Sequence, residues 1–129
     1  MSTFVTAPGT PRRALIVEDS VMIAMEAEDC LRELGVAEVD VAQSVDAALE
    51  YVGAHRYDLA VLDYSLGEAT SEPVAQRLAE QDVPFAIATG YEGMEAQFTA
   101  LGACSVLSKP YSKVDLRDLL QLIRRAEAA

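Results

Sequence analysis

Glu18-Asp19, Asp63, Thr89 and Ser108-Lys109-Pro110 each stand at the end of a short apolar run or directly after one. Singly, each has an ordinary reading: acids after strands cap helices or face water, a threonine satisfies a nearby backbone group, a lysine sits on the surface. Gathered at one edge they mean something else. Three carboxylates in one place repel and take up protons unless a divalent cation and a nearby ammonium keep them ionised. Mg²⁺ suits such a set, because it takes oxygen ligands octahedrally and keeps several waters, leaving positions for a phosphoryl oxygen. The chemistry that needs these parts is phosphoryl transfer. A carboxylate attacks phosphorus, metal and ammonium offset charge on the transferring oxygens, and a hydroxyl donates to one of them.

The elements that would bring these residues together are legible in the apolar pattern. Ala14 to Val17, Val39 to Ala42, Leu59 to Leu62, Phe85 to Ala88 and Ser105 to Leu107 are the strand candidates. The first, third and fourth are continuous rather than alternating, as in strands buried on both faces. Helical patterns fall between them. Ser112 with Asp115 resembles a capping box before Leu116, Leu119, Leu120 and Ile123, predicting a helix from about Ser112 to Arg125. Ser44 starts a second stripe of Val45, Ala48, Leu49 and Val52, and Ile23, Ala27, Leu31 and Leu34 make a third that stops at Gly35. Ser71 to Gln81 and Glu92 to Leu101 read as short helices, one carrying Pro73 and the other Gly93. Strict alternation predicts a doubly wound α/β domain with a parallel sheet and right-handed crossovers. In such a sheet ligands bind at the carboxyl ends of the strands, where the residues above stand.

Composition narrows the function classes. With 129 residues the chain fits one domain able to bury its own core. Ten basic against twenty-one acidic residues give a net charge of −11, which argues against contact with nucleic acid. The longest apolar runs are far short of a bilayer span, and the N-terminus lacks the apolar core of a secretory signal, so a cytoplasmic protein without a membrane partner is expected. Residues 1–12 read as a flexible tail, with the domain over 13–127. Cys30 and Cys104 are expected as reduced, buried small hydrophobes, and His55 as a loop side chain without a role.

Glu18-Asp19, Asp63, Thr89 and Lys109-Pro110 at these strand ends resemble the signature of two-component response regulator receivers, over about Arg13 to Arg125. That resemblance implies a flavodoxin-like (βα)5 sheet of strand order 2-1-3-4-5 and a Mg²⁺ cofactor. It further implies Asp63 as phosphoacceptor, Asp19 as direct metal ligand, Glu18 as a supporting acid acting through water, and a metal contact from the Ser65 backbone carbonyl. Thr89 would be the switch hydroxyl and Lys109 the phosphoryl-binding cation. Pro84 to Tyr91 resembles the run that names the FATGUY group of receivers, many of them single-domain regulators and some tied to general stress signalling. Gly67, Gly90 and Val106 depart from the commoner receiver pattern, the last where an aromatic switch residue usually stands.

The expected function is a stand-alone receiver that takes a phosphoryl group from a histidine kinase or histidine phosphotransfer protein and signals through protein partners, with no output domain after the last helix. It is expected to be no enzyme beyond Mg²⁺-dependent self-phosphorylation and slow autodephosphorylation. Two alternatives stand beside it: a receiver-like interaction module without the chemistry, and a Mg²⁺-dependent phosphohydrolase. The second usually needs another acid two residues after the nucleophile, where Ser65 stands. Val21, Met22 and Met25 project away from the buried face of the first helix and are expected to form a docking patch, while Gly90 to Leu101 is expected to be the segment that moves.

Overall fold

The structure is a computed structural model and describes residues 11–128. The predicted tail lies outside the described residues but for Pro11 and Arg12. The elements run β1 (Arg13–Val17), α1 (Val21–Glu33), β2 (Glu38–Ala42), α2 (Val45–Ala54) and β3 (Leu59–Asp63). A small pair, β4 (Ser65–Leu66) and β5 (Ala69–Thr70), precedes α3 (Glu72–Glu80), followed by β6 (Phe85–Thr89), α4 (Glu95–Ala100), β7 (Ser105–Ser108) and α5 (Lys113–Ala128).

Five strands form one parallel sheet in the order β2-β1-β3-β6-β7. Counted within that sheet, this is the 2-1-3-4-5 order of the flavodoxin-like arrangement. The three central strands are buried on both sides, as their unbroken apolar runs require: Ala14, Leu15, Ile16, Leu59, Ala60, Leu62, Ala86 and Ile87 are wholly inaccessible. Two cores result. One, around Leu15, Leu62, Phe85 and Phe98, lies under α2, α3 and α4; the other, around Ile16, Leu31, Val61 and Leu116, lies under α1 and α5.

The caps fall where short polar side chains can bond the first turn. Ser44 Oγ accepts from Ala47 N at 3.1 Å, and Ser112 and Asp115 make the reciprocal capping box, Asp115 Oδ2 taking the Ser112 N–H at 2.8 Å. Ser20 Oγ takes the Ile23 N–H and sets the register of α1. That register corrects the expected stripe. Ala24, Ala27 and Leu31 are buried, whereas Ile23 is 37% exposed. Two alanines let the helix lie close to the sheet, and the bulkier Ile23 is left at the margin.

The cysteines also differ from expectation. Cys30 is half-buried and Cys104 exposed, both as free thiols. Cys104 sits in the turn between Gly102 and β7, where its N–H donates to the Phe85 carbonyl at 2.8 Å and its side chain stays outside the core. His55 is an exposed residue ending α2, as read.

At the amino edge of the sheet lies a network the local pattern did not announce. Asp40 Oδ2 accepts from the buried Tyr57 hydroxyl at 2.7 Å and from Arg13 Nη2 at 2.9 Å, while Arg13 lies over the Tyr57 ring. Asp58 Oδ2 accepts the backbone N–H groups of Arg12 and Arg13. β1, β2 and the entry to β3 are thereby tied together.

Candidate functional site

The carboxyl edge is built by chain reversals at three strand ends. β1 runs out at Val17, and the Glu18 N–H donates to the Ala42 carbonyl of the edge strand. This holds Glu18 in line with the sheet and leaves only 2% of it exposed. Its Oε2 takes the Ser20 N–H at 3.0 Å, while Oε1 is buried with no hydrogen-bond partner. Asp19, next in the chain, is exposed. Asp63 is the last residue of β3, 6% exposed, in register with Ala88 on β6. One carboxylate oxygen from each of Glu18, Asp19 and Asp63 lies within 4.8 Å of the others.

Lys109 reaches the same place from β7. Its backbone N–H donates to the Thr89 carbonyl at 2.9 Å, and the following peptide, to Pro110, is cis. Its Nζ is 2.9 Å from Asp63 Oδ2 and 3.6 Å from Glu18 Oε1. The ammonium thus bridges the two buried acids. Thr89, 5% exposed at the end of β6, accepts the Tyr91 N–H on Oγ1 at 3.1 Å and keeps its own proton for another acceptor. Ser65 opens the small antiparallel hairpin directly after Asp63, paired with Thr70, and Gly67 at its tip takes a positive φ of 65°.

The electrostatics follow from burial and like charge. Burial pushes the Glu18 carboxyl up to about 7, and the neighbouring Asp19 and Asp63 add to the rise; the Ser20 N–H and Lys109 oppose it. Burial works to lower the Lys109 ammonium, but its hydrogen bond to Asp63 and the charges of Asp63 and Glu18 outweigh that and raise it. Tyr111 is raised by burial and by the same two carboxylates. It was missed in the sequence, where only its place two residues after Lys109 pointed to it.

A buried carboxylate oxygen without a hydrogen bond, 3.6 Å from the Lys109 ammonium and beside two further carboxylates, is part of a donor set of the hard, all-oxygen kind that Mg²⁺ takes. The residues present therefore fit that ion. The structure brings Glu18, Asp19, Asp63 and Lys109 together as the sequence implied. Thr89 is placed one strand away, with its hydroxyl engaged by the loop at Gly90.

Residues 14–121 match the profile described as the response regulator receiver domain. The transcriptional regulatory protein PdtaR of Mycobacterium tuberculosis is 32% identical over 119 residues, covering 87% of this chain and 56% of that protein. The transcriptional regulatory protein CutR of Streptomyces coelicolor is 32% identical over 108 residues, covering 81% and 49%. The chain thus spans about half the length of these curated relatives. Among solved structures, a CheY-like response regulator receiver domain from Methylobacillus flagellatus superposes with a TM-score of 0.77 at 25% identity, covering 87% of this chain and 98% of that one. With the profile spanning nearly the whole of the described sheet and its helices, this chain belongs to the response regulator receiver domain family.

Proposed function

We propose that this chain is a phosphoacceptor receiver, one unit over residues 13–127, whose nucleophile is Asp63. The observation that carries the reading is the pairing of Asp63 with Lys109 at 2.9 Å inside a cluster of three carboxylates. Asp19 and Asp63 would hold Mg²⁺ directly, with the Ser65 carbonyl, and Glu18 would support it through water. Bound there, the ion offsets charge on the phosphoryl oxygens. A carboxylate oxygen of Asp63 forms the new bond to phosphorus, and the bond to the donor's histidine nitrogen breaks with its electron pair left on that nitrogen. Lys109 leaves its ion pair with the free carboxylate to neutralise a phosphoryl oxygen, and Thr89 donates its hydroxyl proton to another. The donor is a histidine kinase or phosphotransfer protein, and the output passes through protein partners in the cytoplasm. The FATGUY-like run favours a stress-response relay. No described helix is long and apolar enough to cross a membrane.

Intact mass after incubation with a small phosphodonor tests the reading. Mg²⁺-dependent gain of one phosphoryl group, lost in Asp63→Asn, is expected. Gain that persists in Asp63→Asn would overturn the assignment, and no gain at all would favour an interaction module without the chemistry.

A further inference from the structure

Where α1 passes the start of α5, the two helices leave a space between them. Ile23, Glu26, Ala27 and Cys30 recur at i, i+3, i+4 and i+7 and so share one stripe of α1. That stripe lines a cavity of about 420 Å³ whose other wall is the segment from Lys109 to Lys113, with Leu116. Ala27 and Cys30 are too small to fill it. Ala27 and Leu116 are buried and form its inner wall, while Ile23, Cys30, Pro110 and Tyr111 make the rest apolar. The polar groups around it are engaged, with one exception. Lys109 Nζ is held by Asp63 at 2.9 Å, Lys113 Nζ by Glu33 at 2.8 Å, and the Ser112 hydroxyl by the capping box with Asp115. Among the described residues the exception is Glu26, exposed and without an ion-pair partner.

These walls select an occupant by size and by charge. Small-molecule sites run to about 300–1,000 Å³ and are mostly apolar with a few polar groups, and this space fits that description. An anion would have to draw Lys109 from Asp63 or Lys113 from Glu33, and it would approach a chain of net charge −11. A neutral molecule fills the space but leaves Glu26 to water. A cation on an apolar body fills the space and pairs with Glu26, and no existing ion pair breaks. The half-buried Tyr111 ring, packed against the core, offers a flat surface for that body. We infer that the cavity between α1 and α5 is a binding site for a small apolar amine, its body on Ala27, Leu116 and Tyr111 and its ammonium on Glu26. The site stands whether or not Asp63 is a phosphoacceptor, since none of the acidic cluster lines it. Its occupant touches the segment that carries Lys109.

Three indole probes of similar size and different charge test this: tryptamine is a cation, tryptophol is neutral and indole-3-propionate is an anion. The chain has no tryptophan, so indole emission reports the probe alone. Titrated with the full chain, tryptamine should bind saturably and about fivefold more tightly than tryptophol, the upper end for one exposed ion pair, with indole-3-propionate weakest. Glu26→Gln, at an exposed position, should remove the advantage of tryptamine and leave tryptophol binding unchanged. Cys30→Phe, which fills the cavity, should weaken all three. Thiol alkylation of the parent locates the site without any variant. Tryptamine should slow modification of Cys30, in the wall, and leave that of Cys104, exposed and outside it, unchanged. Absence of saturable tryptamine binding, equal affinity for the three probes, an advantage that survives in Glu26→Gln, or equal slowing at both cysteines would overturn the inference.

Discussion

Replacing Phe98 by Ala should melt α4 without unfolding the domain. The helix has six residues, no side-chain cap at Met94, and Phe98 as its one fully buried residue. So short a helix has almost no stability of its own. Phe98 is 1% exposed, packs on the Tyr64 ring at 4.8 Å between centroids, and is joined by only the half-buried Met94 and Leu101. A buried phenylalanine covers roughly 150–250 Å², or about 4–6 kcal/mol at 25 cal/mol per Å², and measured Phe→Ala losses run to about 3–5 kcal/mol. That is as much as anchors α4 to the sheet. Residues of α4 should therefore open locally, and a loss of about 3 kcal/mol corresponds to amide exchange about a hundredfold faster. Exchange measured by mass spectrometry or NMR in parent and variant reads this directly. Amides of Glu95 to Gly102 should accelerate by that factor, and those of β1 and β3 by clearly less. Equal acceleration in α4 and β3 would refute the reasoning, because Phe98 would then be part of the global core and the segment after Thr89 no separate unit. In the parent, a phosphoryl mimic with Mg²⁺ should slow exchange across Gly90 to Leu101.

Metal addition gives a second test: Mg²⁺ at a hundred times its dissociation constant should stabilise the parent by about 2.7 kcal/mol in urea titrations, and Asp19→Asn should lose most of that gain at the same concentration. Tyr57→Phe removes a donor from an ionised carboxylate and should cost about 1.5–3 kcal/mol at neutral pH. Burial would raise Asp40, but the Tyr57 hydroxyl and Arg13 outweigh it and hold the carboxyl below its ordinary value. The contribution is thus present above the unfolded carboxylate range, about pH 3.9, and is lost as pH falls through the lowered value. Parent and variant should converge in stability there, and a gap unchanged at acid pH would show that Asp40 is not the partner. Ser112→Ala should cost about 1 kcal/mol through loss of the capping box, seen as a lower urea midpoint at constant slope.

What the sequence revealed depended on how local the cause was. Continuous apolar runs such as Leu59 to Leu62 can only be central strands, and Ser44 and Ser112 cap within three residues of themselves, so these elements were legible. The meeting of the Glu18 and Asp63 carboxylates was legible because strand ends in a parallel sheet converge on one edge. The β4–β5 pair was not, since two-residue strands leave no periodicity. Ile23 was misplaced because hydrophobicity favours it over Ala24, whereas close packing of α1 against the sheet favours the smaller residue. Arg13, Asp40 and Tyr57 stand 27 and 17 residues apart, and nothing local announces a contact made across three strands.

The hairpin after Asp63 has a further consequence. The Tyr64 N–H is bound to the Ala88 carbonyl and its own carbonyl to the Ser71 N–H at 2.9 Å, so the loop from Ser65 to Thr70 is closed at its base before α3 begins. These two hydrogen bonds stand between the Gly67-Glu68 tip and Asp63 on one side and α3 on the other. The tip is open space: a side-chain carbon added at Gly67 would meet nothing within 4 Å. It is therefore a place where the chain can grow by several residues, in a relative or by engineering, while Asp63 stays where the sheet puts it. A reporter group carried there would stand beside the site without being part of it.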